Sequence, residues 1–323
     1  MHTRELGGLW PVSALTLGGG IGGMWGESSH DERIATVHEA VERGITLLDL
    51  APLYNEAEAV VGEAFAGALP AGVHVTTKYV LGNAPEAEVY DRLRASLETS
   101  LELLRLDRVD VFFLHGILVA DGVPIATHPD IAPVGFGTSQ SVFEAAARPA
   151  LQRLVDEGLA GAWGITGHGT PAALLDVIAQ DPAPAAIQCI ANALDAPGLL
   201  FGYDEERRPR EIIAAAKARG IGVMGIRAVL AGALTDGFDR DVEPDSTEQR
   251  DFDRAAPFRA VARDIGVRTA YLAYRYALSM PDVDTHVLGV KNREELRECL
   301  QAEADGPLDA ELVARIDRAV GLS

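Results

Sequence analysis

Short apolar runs alternate with longer stretches of helical period along nearly the whole chain. The runs fall at residues 14–17, 46–50, 73–77, 109–114, 162–166, 186–190, 221–226 and 285–290. They are apolar along most of their length rather than at every second position, which suits parallel strands buried on both faces. Between them the period changes. Ser29-His30-Asp31-Glu32 has the spacing of a capping box, and Ile34, Val37 and Val41 follow at helical intervals. Pro85 stands where a first helical position is expected, and Val89, Leu93, Leu97, Leu101 and Leu104 trace one stripe. Residues 142–156, 171–179, 210–218, 257–265, 269–278 and 292–301 continue the series, and a last helix spans about 309–320.

Eight strand–helix units close most naturally into an α/β (β/α)8 TIM barrel; a doubly wound sheet is the competing arrangement. Residues 1–13 precede the first strand and are expected to form an N-terminal hairpin, and 306–323 a C-terminal extra helix. With no linker in view, 1–323 is expected to be a single domain. The loops at 116–140, 191–208 and 230–256 are long and rich in glycine, proline and acid. In a barrel all three emerge on the catalytic face.

Composition then removes several functions. Of 323 residues 48% are hydrophobic, enough for a large core, and the formal charge is −20. Such a chain repels phosphate backbones and anionic lipid, so neither nucleic acid nor membrane is expected as a partner. Residues 7–26 carry no charge, but eight of the twenty are glycine and one is proline, a poor transmembrane helix. Glu5 ahead of that stretch, and no small-residue cleavage site after it, argue against a signal peptide. Cys189 and Cys299 alone build neither a disulfide framework nor a zinc site. A cytoplasmic protein without a metal is expected.

Residues 18–23, Gly-Gly-Gly-Ile-Gly-Gly, contain the spacing of a dinucleotide fingerprint. That motif has to open a helix at once, and the helix start signal here is Ser29, too late. The run is expected instead to let a ligand approach the mouth of the first strand.

Four polar residues stand at or just after strand ends: Asp49, Tyr54, Lys78 and His115. In a barrel, strands two, three and four are neighbours, so these side chains converge at the C-terminal mouth. A buried lysine needs a counter-charge, which Asp49 supplies. A lysine beside a phenol lowers its pKa from about 10 and makes the tyrosine a usable proton donor or acceptor. His115 can orient a substrate oxygen.

Those residues sit in blocks that resemble the aldo-keto reductase family. Residues 49–58, Asp-Leu-Ala-Pro-Leu-Tyr-Asn-Glu-Ala-Glu, resemble its D-x-A-x-x-Y-G-x-S-E block; Thr76-Thr77-Lys78, Leu114-His115 and 97–110 resemble those that follow. The resemblance implies a barrel that transfers a hydride between a nicotinamide cofactor and a carbonyl or alcohol carbon. It makes Tyr54 the general acid/base, Lys78 and Asp49 the groups that tune it, and His115 the carbonyl-orienting residue.

It also implies cofactor contacts. Thr166 keeps a hydroxyl where the family often has Ser-Asn, while Gly167 cannot replace the asparagine; His168 is a candidate for the pocket. Gln188 fits the polar position of strand six, ahead of Asn192. Ile226 replaces a stacking tyrosine, and Arg227 offers a charged fork for the cofactor's pyrophosphate. Gly289, Lys291, Arg293 and Glu295 resemble the adenine-end site. Lys291 and Arg293 suit a 2′-phosphate and Glu295 opposes it, so NADP is expected ahead of NAD by a modest factor. Trp25, Tyr79 and Phe136 are candidates for the substrate pocket, with an aldehyde, ketone or sugar as substrate. Two rivals remain at this level: an aldolase using Lys78 as Schiff-base nucleophile, and a non-catalytic barrel that binds the nucleotide and regulates a partner.

Overall fold

The computed structural model describes residues 1–23, 28–125, 135–198 and 207–322. Eight parallel strands close into a barrel: β1 (Leu15–Gly18), β2 (Leu47–Asp49), β3 (His74–Val80), β4 (Val109–His115), β5 (Ala160–Gly167), β6 (Ala186–Ile190), β7 (Gly222–Ile226) and β8 (Thr285–Leu288). Each pairs with the next, and β8 returns to β1 through Val287 and Thr16. This is the (β/α)8 architecture expected from the eight apolar runs. The predicted hairpin is present too: Thr3–Glu5 pairs antiparallel with Pro11–Ser13.

Around the barrel run α1 (His30–Glu42), α2 (Ala57–Phe65), α3 (Glu86–Leu104), α4 (Arg148–Asp156), α5 (Pro171–Ala179) and α6 (Pro209–Ala218). They are followed by α7 (Thr247–Arg254), α8 (Ala256–Ile265), α9 (Thr269–Ser279), α10 (Arg293–Ala304) and the extra α11 (Ala310–Val320). Ser29 caps α1 as its spacing predicts, accepting from the Glu32 amide. Pro85 falls one position earlier than expected, as the cap of α3. Residues 142–156 are not one regular helix: the Arg148 amide reaches back five residues to Phe143, ahead of Pro149, which has no N–H to give. α7 was not anticipated; Ser246, accepting from the Gln249 amide, starts it inside a stretch read as loop. No described helix is long and apolar enough to cross a membrane.

The period-2 alternation of the strands divides the core in two. Outward-facing Leu48, Phe112, Leu114, Trp163, Ile165, Ile187 and Val223 pack under the helices in one large cluster. Inward-facing Leu47, Val111, Phe113, Ala186 and Met224 form a second, separate cluster, closed from below by Leu6 and Val12 of the hairpin segment. Moving along the inward face toward the C-terminal ends, the side chains change character: Leu47 gives way to Asp49, Phe113 to His115, and Ala186 to Gln188. The barrel is therefore apolar at its floor and polar at its mouth.

Candidate active site

Asp49 closes β2 and is 1% exposed. Its Oδ2 accepts from Nζ of Lys78 at 2.6 Å. Its Oδ1 accepts from Thr76 Oγ1 at 2.7 Å and from Gln188 Nε2 at 2.6 Å. Two strands across the barrel mouth, β3 and β6, thus supply three donors to one carboxylate. Lys78 is wholly buried, and a charge removed from water is tolerated only with such a partner. The pairing expected between Lys78 and Asp49 is present, with the ammonium bound to a carboxylate, an arrangement unsuited to a free amine nucleophile. Thr76 is part of a resembling block in the sequence without a site role there; it lies two residues before Lys78, on the same inward face, which is the available signal.

Tyr54 stands on a short 3-10 turn, Pro52–Tyr54, between β2 and α2. Its ring lies 5.1 Å from Lys78 Nζ and meets His115 edge to face, with centroids 5.7 Å apart at 79°. Burial raises the Tyr54 pKa and Asp49 adds to that, while Lys78 and Arg227 pull it down; the balance is upward. This corrects the expected lowering: Lys78 acts in the anticipated direction, but desolvation of the phenol outweighs it. Tyr54 is accordingly a neutral phenol at neutral pH. Burial, with Lys78 and Arg227 nearby, holds His115 well below the usual histidine range, so its imidazole is neutral. His115 Nδ1 is buried without a hydrogen-bond partner among the described residues.

Behind Lys78, on the outward face of β3, Thr77 Oγ1 donates to Glu58 Oε1 at 2.5 Å. Burial pushes the Glu58 carboxyl up. This bond ties α2, which follows Tyr54, to the strand that carries Lys78.

The remaining expected residues divide by position. Thr166 faces inward and donates to the Leu114 carbonyl at 3.1 Å, leaving its oxygen able to accept. His168 is buried just past β5, with Arg207 Nη1 3.2 and 3.3 Å from its two ring nitrogens. Gly167 turns outward against Cys189 and Ile187. Asn192 staples its own loop, bonding to Ala196 and Leu194. Phe136 is buried, its carbonyl accepting from Ile117 beyond His115. Trp25 lies outside the described residues. Tyr79 requires correction: the alternation that turns Lys78 inward turns Tyr79 outward, into the cluster beneath the helices and beside Arg92 of α3. It does not line the mouth.

At the other end of the cleft, Arg227 follows β7 with a left-handed φ of 67°. Its guanidinium forms no ion pair or hydrogen bond among the described residues, and its charge acts on both Tyr54 and His115. Past β8, a side chain at Gly289 would meet nothing within 4 Å. Lys291 binds Asp239 and, at 3.1 Å, Glu295, whose carboxylate also accepts from the Lys291 amide at 2.9 Å. Arg293 turns to α1 and forks onto Glu32, with Nη2 2.7 Å from Oε2. Asn292 caps α10. An arginine without a partner among the described residues, an open glycine edge and a lysine beside a helix start fit a dinucleotide laid across β7 and β8. Among the described residues no group of three or more His, Cys, Asp or Glu is placed to hold a metal.

A sequence model of the Aldo/keto reductase family matches residues 14–320, from the first barrel strand to the last helix. The chain belongs to the aldo/keto reductase family. As a member it is a nicotinamide-dependent oxidoreductase by class. Among curated relatives, an L-galactose dehydrogenase from Arabidopsis thaliana is 25% identical over 299 residues, 90% of this chain and 84% of its own length. An aldo-keto reductase from Bombyx mori is 34% identical over 128 residues, 38% of each chain. In fold, a glycerol dehydrogenase from Gluconobacter oxydans superposes with a TM-score of 0.70 at 23% identity, covering 99% of this chain and 95% of its own. An aldo-keto reductase from Bacillus halodurans, in its holo form, gives 0.69 at 21% identity over 99% and 96%.

Proposed function

We propose that this protein reversibly transfers a hydride between NAD(P) and an aldehyde, ketone or sugar carbonyl, with Tyr54 as general acid/base. The observation that carries the reading is the buried Lys78–Asp49 pair beside a neutral phenol and a neutral imidazole. NAD(P)H supplies the hydride. As the carbonyl oxygen gains charge, Tyr54 gives it the phenolic proton, and Lys78, anchored by Asp49, offsets the phenolate left behind. His115 offers a hydrogen bond that holds the carbonyl oxygen beside Tyr54. In the oxidative direction the same groups take the proton back.

Thr166 and Gln188 border the nicotinamide, Arg227 meets the pyrophosphate, and Gly289, Lys291, Arg293 and Glu295 form the adenine end. His168 and Phe136 border the substrate. The cofactor is NADP or NAD. The margin for NADP is smaller than the sequence suggested, because Asp239 and Glu32 join Glu295 around the two cations. The L-galactose dehydrogenase among the relatives makes sugars the first substrates to assay. The barrel, hairpin and final helix act as one cytoplasmic unit.

The test is Tyr54→Phe. It should bind NADPH or NADH as the parent does, by fluorescence titration, and lose about 10²- to 10⁴-fold in kcat. Activity within about threefold of the parent, well short of that range, refutes the assignment.

A further inference from the structure

We propose that Gly19 and Gly22 are positioning residues for Tyr54: the glycine-rich turn after β1 is a cradle that sets where the phenol stands relative to Lys78 and His115. This rests on the reading of Tyr54 as the acid/base. The sequence suggested that the glycines make room for a ligand; the structure gives their space to the protein itself. A Cβ on Gly19 would lie 2.0 Å from Cδ2 of Tyr54, 2.5 Å from Cγ and 2.8 Å from Cβ. A Cβ on Gly22 would lie 1.8 Å from the Tyr54 carbonyl oxygen and 2.9 Å from its carbon. One glycine therefore touches the ring and the other the backbone of the same residue. Neither has a positive φ, so the need for glycine at both is steric, unlike Gly23, whose φ is 75°.

The turn is also fastened to the tyrosine segment. The Gly22 carbonyl accepts from the Glu56 amide at 3.3 Å and from Arg33 Nη1 at 3.3 Å, and Arg33 binds Glu56 at 2.7 Å. A clamp is needed because Asn55, directly after Tyr54, has φ 51° and ψ −115°, a region that favours glycine. Strained backbone persists only where its surroundings hold it. Thr77–Glu58 fixes the far side of the same segment to β3. Tyr54 is thus held between two walls, and the glycine wall sets its depth.

Gly20 belongs to a different contact. Its Cβ would meet the Val290 and Gly289 carbonyls, beside Lys291. Adjacent glycines should therefore separate two functions. Gly19→Ala should lower kcat about 10²-fold, the scale of a 1 Å misplacement, and move the pH midpoint of kcat. NAD(P)H affinity should stay within about threefold, because the three nearest atoms to the added Cβ all belong to the tyrosine. Gly20→Ala should do the reverse, weakening NAD(P)H and leaving the pH midpoint in place. A Gly19→Ala enzyme with parental kcat and pH profile, or one that loses cofactor affinity as Gly20→Ala does, overturns the proposal. If Gly19→Ala does not fold, Gly19→Ala/Tyr54→Gly decides, because it removes all three tyrosine atoms in the way. The double variant should then fold and melt with Tyr54→Gly alone; if it does not, Gly19 serves some other contact and the proposal fails. The melting comparison does not depend on catalysis, so a Tyr54→Phe enzyme that stays active would overturn the proposed function and leave the cradle contact measurable.

Discussion

The cleft carries the same chemical pair at each end. Lys78 and Asp49 stand at the proposed reacting end with side-chain exposures of 0% and 2%; Lys291 and Asp239 stand at the proposed adenine end with 17% and 43%. Burial makes them opposites. At the reacting end two further donors complete Asp49, and water does not compete, so the pair is a fixed part of the fold. At the adenine end water and salt compete, and Lys291 already divides its charge between Asp239 and Glu295. A fixed pair suits a group that must tune a proton. An exchangeable pair suits a cation that has to release one anion to take another.

The largest effect should come from breaking the fixed pair. Asp49→Asn leaves a buried ammonium without its charge and should destabilise the protein by about 3–5 kcal/mol in urea unfolding, with activity lost. A variant as stable as the parent would mean that Lys78 finds another anion and that burial is not what separates the two ends.

A smaller difference should appear in pH. His115 is held neutral when folded, with a pKa below that of the unfolded chain. Its contribution to stability is therefore complete above about 6.5 and declines as pH falls below that value, by about 1.4 kcal/mol per pH unit. Asp239 is also lowered when folded, by its bond from Lys291, so its contribution is lost only below the ordinary carboxylate range near 4. Unfolding measured at pH 7 and pH 5 should show the parent losing more stability than His115→Phe. Equal losses would place the acid sensitivity elsewhere in the molecule.

The smallest effect on stability should come from the exchangeable pair. Asp239→Asn should change stability by about 0–1 kcal/mol. It should nonetheless tighten NADPH relative to NADH by about 3- to 10-fold, and added salt should erode that gain. Unchanged selectivity would mean that Lys291 does not face the 2′-phosphate.

The two ends also differ in how much the sequence reveals of them. Strand-end polarity is local: Asp49 interrupts an apolar run near its end and Lys78 and His115 each follow one, so their meeting follows once eight runs imply a barrel. The same alternation would have sent Tyr79 outward, had it been applied residue by residue from Lys78. The adenine end depends on partners distant in sequence. Asp239 comes from the loop after β7 and Glu32 from α1, 52 and 261 residues from the cations they hold. Nothing in the spacing around residues 289–295 announces them. The glycine run was visible as a pattern, but what fills the space beside it is a tertiary fact. Strand boundaries shifted by a residue or more, as at 46–50 against the observed Leu47–Asp49, because hydrogen bonding rather than hydrophobicity ends a strand.

The divided core has a consequence for traffic. Leu47, Val111, Phe113, Ala186 and Met224 fill the barrel, and the hairpin segment stoppers it with Leu6 and Val12. Among the described residues the floor is filled, and the polar side chains above it face the C-terminal mouth. A dinucleotide and a substrate bound as proposed would both enter from the mouth side, so the one seated deeper would be the last to leave. Turnover would then be a queueing problem as much as a chemical one.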